Sequence, residues 1–393
     1  MKKQAKKAPL KGNVVLFGWT SFFEDISSQM NYSILPLFLA NTLGVNKAFI
    51  GLIEGIAETT ASFLKIFIGW LSDKLKLRKV FVVTGYAVTA LSRPFLSFAN
   101  KGFQVLGLRF MDRTGKGIRT SPRDALIADS CEESDRGRAF GFHRSLDTAG
   151  AIVGPLLAFI FLSRLGMSYR AIFLISVIPA IIATILVLVS KETKGSPADS
   201  GIPKPKISIG AFPADFKKFI FVVALFTLGN SSDAFLILRA NNIGISPVLI
   251  PVLWVVFNIT YAVSALPSGI LSDRIGSRRV IAYGFLIYSV VYLGFAFATS
   301  AYQVWILFLI YGFYYGLTDG VSRSLVSKMV SSEQRGTAFG IYHSTVGLVS
   351  LPASLLMGFL WDWKGPKTAF LFGAVLALVS VIMLFSLIRI KNE

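Results

Sequence analysis

Cysteine is almost missing from this 393-residue chain: Cys131 stands alone, so no internal disulfide can form. Two histidines with one cysteine leave no set of residues for a zinc cluster, and no metal is expected. Acids are scarce too, 21 against 40 Lys and Arg, and charged residues make up only 16% of the whole. A net charge of +19 on a soluble chain would point to nucleic acid, but here the bases cluster between long apolar runs. No loop is long enough to hold a separate catalytic domain. The one glycine-rich, lysine-bearing stretch, "TGKGIRTS", fails as a phosphate loop. That loop needs glycine five positions before the GK pair and Ser or Thr after it, where this chain has Phe110 and Gly117. No enzymatic activity is therefore expected, and no cofactor.

What the sequence has in quantity is apolar length, with 53% hydrophobic residues. Runs of about 20 such residues cross a hydrocarbon core of about 30 Å as helices. Hydropathy gives spans near 13–40, 48–72, 79–98, 102–126, 138–163 and 169–190, then 218–240, 247–272, 279–299, 301–327, 336–361 and 366–388. The basic start "MKKQAKKAPLK" resembles a signal peptide. The apolar stretch behind it is too long, carries Glu24 and Asp25 and lacks a small-residue cleavage site, so it reads as a retained first helix. Lys2, Lys3, Lys6, Lys7, Lys11, Lys74, Lys76, Arg78, Lys79, Arg136, Arg138, Arg274, Arg278, Arg279, Arg389 and Lys391 all fall on one side of such a topology. The excess of Lys and Arg on cytoplasmic loops then predicts cytoplasmic termini in a multi-pass protein of a prokaryotic inner membrane.

The halves repeat. "GWLSDKLKLRKV" at 69–80 matches "GILSDRIGSRRV" at 269–280, "DRGRAFGF" at 135–142 matches the stretch around Arg335, and "LANTLGV" at 39–45 matches "RANNIGI" at 239–245. Duplicated six-helix halves joined by a Pro-, Gly- and Lys-containing linker are the pattern of a transporter whose halves rock around a midplane site. The expected division is an N-terminal six-helix bundle over 1–190, a cytoplasmic linker over 191–217 and a C-terminal bundle over 218–393. An all-α membrane protein of twelve transmembrane helices follows.

These repeats carry a resemblance to the major facilitator superfamily across essentially the whole chain. The family's loop after its second helix reads G-x-L-a-D-R-x-G-R-R. Gly69, Leu71, Asp73, Lys74 and Arg78 match it in the first half, with Lys76 at the second glycine position. Gly269, Leu271, Asp273, Arg274, Gly276, Arg278 and Arg279 match it in the second. These residues are expected to form a cytoplasmic gate, with Asp73 and Asp273 meeting a base or a helix N-terminus on closure. "GAIVGP", from Gly150 to Pro155, is similar to the family's G-x-x-x-G-P motif, associated with proton-coupled export. Its bland reading is close helix packing at Gly150 and Gly154 with a helix weakened at Pro155. Arg113 with Gly117 resembles the R-x-x-x-G pattern of the fourth helix, whose arginine the family links to proton coupling. Within the superfamily, "RTGKGIRTSPRDALIAD" is similar to a drug-exporter-like, proton-coupled group of prokaryotic transporters.

On the fourth span, Arg109, Arg113, Lys116, Thr120 and Arg123 or Asp124 share one helical stripe, and Asp112 can partly neutralise Arg109 or Lys116. Charges at that depth must face a cavity or paired neighbours. The lower end of the stripe, Arg119, Arg123 and Asp124, reads as a latch toward Asp73. Glu24 and Asp25 lie about 100° apart on the first helix, so one of them, preferably Asp25, should face the cavity. With Glu58 and Arg113 it would form a titrating group, because burial disfavours a charged carboxylate and an arginine opposes this. Glu54 lies nearer the outer end and should matter less. Arg144 and Asp147 pair on the fifth helix, and Asp233 lies on the seventh. "YGFYYGL" at 311–317 offers an aromatic wall for a greasy or planar compound. The expected function is proton-coupled export of an amphipathic compound by a monomer, driven by the proton gradient, with the bilayer as its other partner and no nucleic acid. An organic-anion transporter is the alternative within transport, resting on the local excess of Arg109, Arg113, Lys116 and Arg144 over Asp112 and Asp147. A non-transporting receptor or scaffold is the alternative outside it.

Overall fold

The computed structural model describes residues 12–132, 135–192, 212–331 and 334–388, and no strand occurs among them. The linker expected over 191–217 falls mostly on 193–211, outside the described residues, as do both basic termini. Twelve helical segments follow the apolar runs. In the first half they are α1 (Asn13–Tyr32, extended by short turns to Thr42), α2 (Lys47–Leu75), α3 (Arg78–Phe95), α4 (Gly102–Asp129), α5 (Arg136–Ser163) and α6 (Tyr169–Val189). In the second they are α7 (Ala214–Asn242), α8 (Ile250–Ile275), α9 (Ser277–Phe297), α10 (Ala301–Met329), α11 (Arg335–Lys364) and α12 (Pro366–Leu387). Nine of these are long and apolar enough to cross a membrane. The other three, α1, α2 and α4, are the ones that carry the clustered charges. Large apolar side chains such as Phe63, Phe103, Leu266 and Phe359 stay exposed, as lipid-facing residues must.

Local signals set the helix ends. Asn46 and Ser168 accept hydrogen bonds from Phe49 N and Ala171 N, capping α2 and α6. The duplication reaches the caps: Gln104 accepts from Asn100 N and Lys101 N, and Gln303 accepts from Thr299 N and Ser300 N. It also reaches the turns after α2 and α8. Gly276 turns at φ 95°, and Lys76 turns at φ 54°, the one non-glycine with positive φ among the described residues. The tight turn thus survives the loss of its glycine, at a cost of about 1–2 kcal/mol for a side chain in the left-handed region.

α1 to α6 form one bundle and α7 to α12 the other, and they meet chiefly through α2 against α11 and α5 against α8. The α2–α11 seam is close because a Cβ on Gly51 would lie 2.1 Å from Ser354 O, and Thr59 donates to Gly347 O at 2.6 Å. At one end the bundles are latched. Asp362 of α11 accepts from Lys47 N and Ala48 N, placing a carboxylate on the α2 N-terminus. Beside it Asn41 donates to Asn241 at 3.1 Å. These two asparagines occupy equivalent places in the repeat, so the pseudo-two-fold axis runs between them. At the other end α2 and α11 part, and Lys65, Ile66 and Gly69 face Gly336, Phe339 and Gly340 across a cavity.

Candidate functional site

The cavity between the bundles has a volume of about 1000 Å³, enough for a drug-sized molecule. Its two walls differ. The first-half wall is a charged network strung over four helices. Glu24 on α1 accepts from Arg93 of α3 at 2.5 Å and from Arg119 of α4 at 2.6 Å, and all three are buried. Asp112 lies 3.3 Å from Arg93, 3.7 Å from Arg109 and 4.0 Å from Arg113. Arg109 donates from Nε and Nη2 to Glu54 at 2.7–3.1 Å, and Arg113 pairs with Glu58 at 3.3 Å. Four arginines thus meet four carboxylates, and the network is neutral by itself. That balance is what permits charge at membrane depth, since a lone buried ion costs several kcal/mol.

Glycines make this network possible. A Cβ on Gly115 would lie 2.6 Å from Gly85 O of α3, and one on Gly117 would lie 2.6 Å from Leu64 Cβ of α2. The glycines of "TGKGIRTS" therefore serve close packing of α4 between two neighbours, which brings Arg93 and Arg119 to the same carboxylate. On α5, a Cβ on Gly150 or Gly154 would press on Phe22 O or Ile26 O of α1, at 2.4 and 2.6 Å. That seam sets Asp25 against Asp147, and the two acid side chains interact directly. Ser21 donates to Asp147 at 2.7 Å and Arg144 at 2.9 Å. Arg144 also donates to Tyr261 of α8 and lies 3.8 Å from Asp319 of α10, so it bridges the bundles.

The second-half wall is aromatic with isolated acids. Helix α7 breaks at 230–233, and Asn230, Ser231, Ser232 and Asp233 of the break line the cavity. Tyr311 and Tyr315 donate to Asp233 at 2.6 and 3.0 Å, and Asp319 accepts from Tyr261 at 2.8 Å and pairs with Arg323. Trp254 donates to Gln29 of α1 at 2.9 Å and lies tilted against Tyr32, with ring centroids 5.3 Å apart.

The expected site residues fall in three groups. Arg109, Arg113, Lys116, Thr120, Arg123 and Asp124 do line the cavity as one stripe. Asp25, Glu58 and Arg113 do not form one contact group: Arg113 holds Glu58, whereas Asp25 meets Asp147. Glu24 and Asp25 both reach the cavity lining, in different directions: Asp25 lies on the side of α1 that packs on α5, whereas Glu24 is reached by the long arginine side chains of α3 and α4. Glu54, expected nearer the outer end, is buried as the bidentate partner of Arg109. Arg119 points into the bundle toward Glu24 and Thr89 and takes no part in a latch with Asp73. Asp73 instead accepts from Arg78, which also reaches Asp129, and Arg123 pairs with Asp124. Asp273 has Lys328 at 4.0 Å, while Arg278 donates to Ile388 O and Gly269 meets nothing within 4 Å. Arg93 is the hub that sequence reading passed over. A lone arginine inside the apolar third span was its signal.

The chain matches the family model described as Major Facilitator Superfamily over residues 17–238 and 207–393. It is 39% identical over 381 residues to an uncharacterised MFS-type transporter of Methanocaldococcus jannaschii, covering 95% of this chain and 94% of that one. A multi-drug resistance efflux pump homolog of Lactococcus lactis is 26% identical over 373 residues, covering 91% of each. Among solved structures, a nucleoside transporter superposes with a TM-score of 0.81 at 14% identity, over 96% of this chain and all of that one.

Proposed function

Because the chain belongs to the Major Facilitator Superfamily, we propose that it is a secondary active transporter that expels an amphipathic small molecule in exchange for protons. The observation that carries this reading is the Asp25–Asp147 pair beside the cavity. Two carboxyls face each other favourably only when one of them donates a proton, so the pair is a built place for one. Arg144 supplies the link to conformation. It holds Asp147 at 2.9 Å while reaching toward Tyr261 and Asp319 of the other bundle. Closing the open end draws Arg144 toward Asp319 and leaves the acid pair to keep a proton; opening it returns the guanidinium to Asp147 and releases one.

The excess of Lys and Arg in the loops supports a cytoplasmic position for the open end, with the Asp73–Arg78 pair and both termini on that side of a cytoplasmic membrane. The cavity as it stands therefore receives substrate from inside. Similarity to an efflux pump and the Gly150, Gly154, Pro155 seam support export. One chain lines the whole cavity from both halves, which supports a monomer as the working unit. The test is reconstitution in liposomes loaded with a pH-sensitive dye, with a panel of cationic, neutral and anionic amphipaths. The expected result is proton movement that appears only with a transported compound. Substrate flux with no proton movement at any imposed gradient overturns the coupling and leaves a facilitator.

A further inference from the structure

We propose that the cavity contains an anion-binding subsite formed by Lys65 and Lys116, so that the transported compound carries a carboxylate or phosphate-type head on an apolar body. The proposal rests on the transport reading above and names its substrate class.

Charge around the cavity is matched almost pair by pair. Arg93, Arg109, Arg113 and Arg119 are matched by Glu24, Glu54, Glu58 and Asp112, and Arg123 is matched by Asp124. Arg144 is held by Asp147, and Arg323 by Asp319. Lys65 on α2 and Lys116 on α4 also line the cavity, yet among the described residues neither ammonium forms an ion pair or a hydrogen bond. Every carboxylate around them is already engaged: Glu58 by Arg113, Asp124 by Arg123, Asp25 against Asp147, Asp319 by Arg323 and Tyr261. The third cation beside them, Arg113, is buried and its Nε has no hydrogen-bond acceptor. From the other bundle Arg323 of α10 and His343 of α11 line the same cavity; of its two acids there, Asp319 is held by Arg323 and Tyr261, and Asp233 on the broken α7 accepts from Tyr311 and Tyr315.

Two half-buried ammoniums without partners are costly at membrane depth and become favourable when an anion enters between them. A lysine binds carboxylate or phosphate as a point charge with rotatable donors, which suits a head group that must also be released. Across the cavity, Trp254, Phe257 and Tyr315 present ring faces and edges to whatever the head group carries.

The test is calorimetric binding to the purified full chain in detergent, without a gradient, of four probes that share a ring and differ in head: naphthoate, naphthyl phosphate, naphthylmethanol and naphthylmethylamine. The expected result is that the two anions bind about ten-fold more tightly than the alcohol and the amine. Either order between the two anions supports the subsite and assigns its head group. Lys65→Gln/Lys116→Gln should bring the four probes within about two-fold of one another, and Lys65→Arg/Lys116→Arg should keep the preference. The arginine variant also controls for folding. The subsite is overturned if the parent binds the amine or alcohol as tightly as the anions, or if the glutamine variant keeps the preference. Anion preference without proton movement in liposomes would remove the coupling and leave the subsite. Proton movement with amines alone would do the reverse.

Discussion

Glu24 and Glu58 are both glutamates in one cavity, and the structure gives them opposite weights. Glu24 is 4% exposed and is shared by Arg93 and Arg119, whereas the Glu58 side chain is 46% exposed with Arg113 beside it. Removing one partner of a buried pair leaves an uncompensated charge and costs about 3–5 kcal/mol. In the Glu58 pair only the arginine is buried, and screening at the exposed carboxylate makes the loss smaller. Glu24→Gln should therefore lower the unfolding temperature of the detergent-solubilised protein strongly, and Glu58→Gln clearly less. Equal shifts in thermal unfolding would contradict the view that the arginine network is structural and the cavity-facing residues are free to function.

At the scale of elements, the α1–α5 seam joins packing to chemistry. Gly150→Ala would put a methyl 2.4 Å from Phe22 O and 3.0 Å from Asp25 Cβ, so α1 must move off α5 and carry Asp25 with it. The expected cost is about 1–3 kcal/mol of stability, together with loss of proton-driven transport. Gly141→Ala on the same helix meets nothing within 4 Å and should be silent in both assays. The seam also shows how far sequence reading carries. All twelve spans were legible to within four residues, because apolar length and loop charge are properties of the chain taken locally. The stripe on α4 was legible for the same reason, since helical spacing fixes which residues share a face. Partner choice was not. Glu24 and Asp25 are adjacent in sequence, but one goes to Arg93 and Arg119 and the other to Asp147, and only the packing of α1 on α5, within reach of the arginines of α3 and α4, decides that. Arg119 looked like part of a gate from its place near the helix end. It is drawn into the bundle because Gly85 and Gly115 let α3 and α4 close to backbone contact.

For the whole molecule, the closed end must open in each cycle if the halves rock. Asn41 and Asn241 meet there across the pseudo-two-fold axis at 3.1 Å. Cysteines at both positions, in a Cys131→Ser background, should be bridged by a short bis-methanethiosulfonate reagent, and bridging should stop transport until the bridge is reduced. Undiminished transport by the bridged protein would mean that this end never parts.

The most direct test of the account compares two assays on Asp25→Asn and Asp147→Asn in proteoliposomes: substrate exchange without a gradient, and substrate accumulation driven by an imposed pH gradient. An acid pair that only carries the proton is not needed for the halves to rock around substrate, so exchange should persist near the parent rate. Accumulation should fall to the level set by passive equilibration in each variant, because the exchanged proton no longer has a seat. Accumulation equal to the parent's in both variants would contradict the account and move the proton site elsewhere in the cavity.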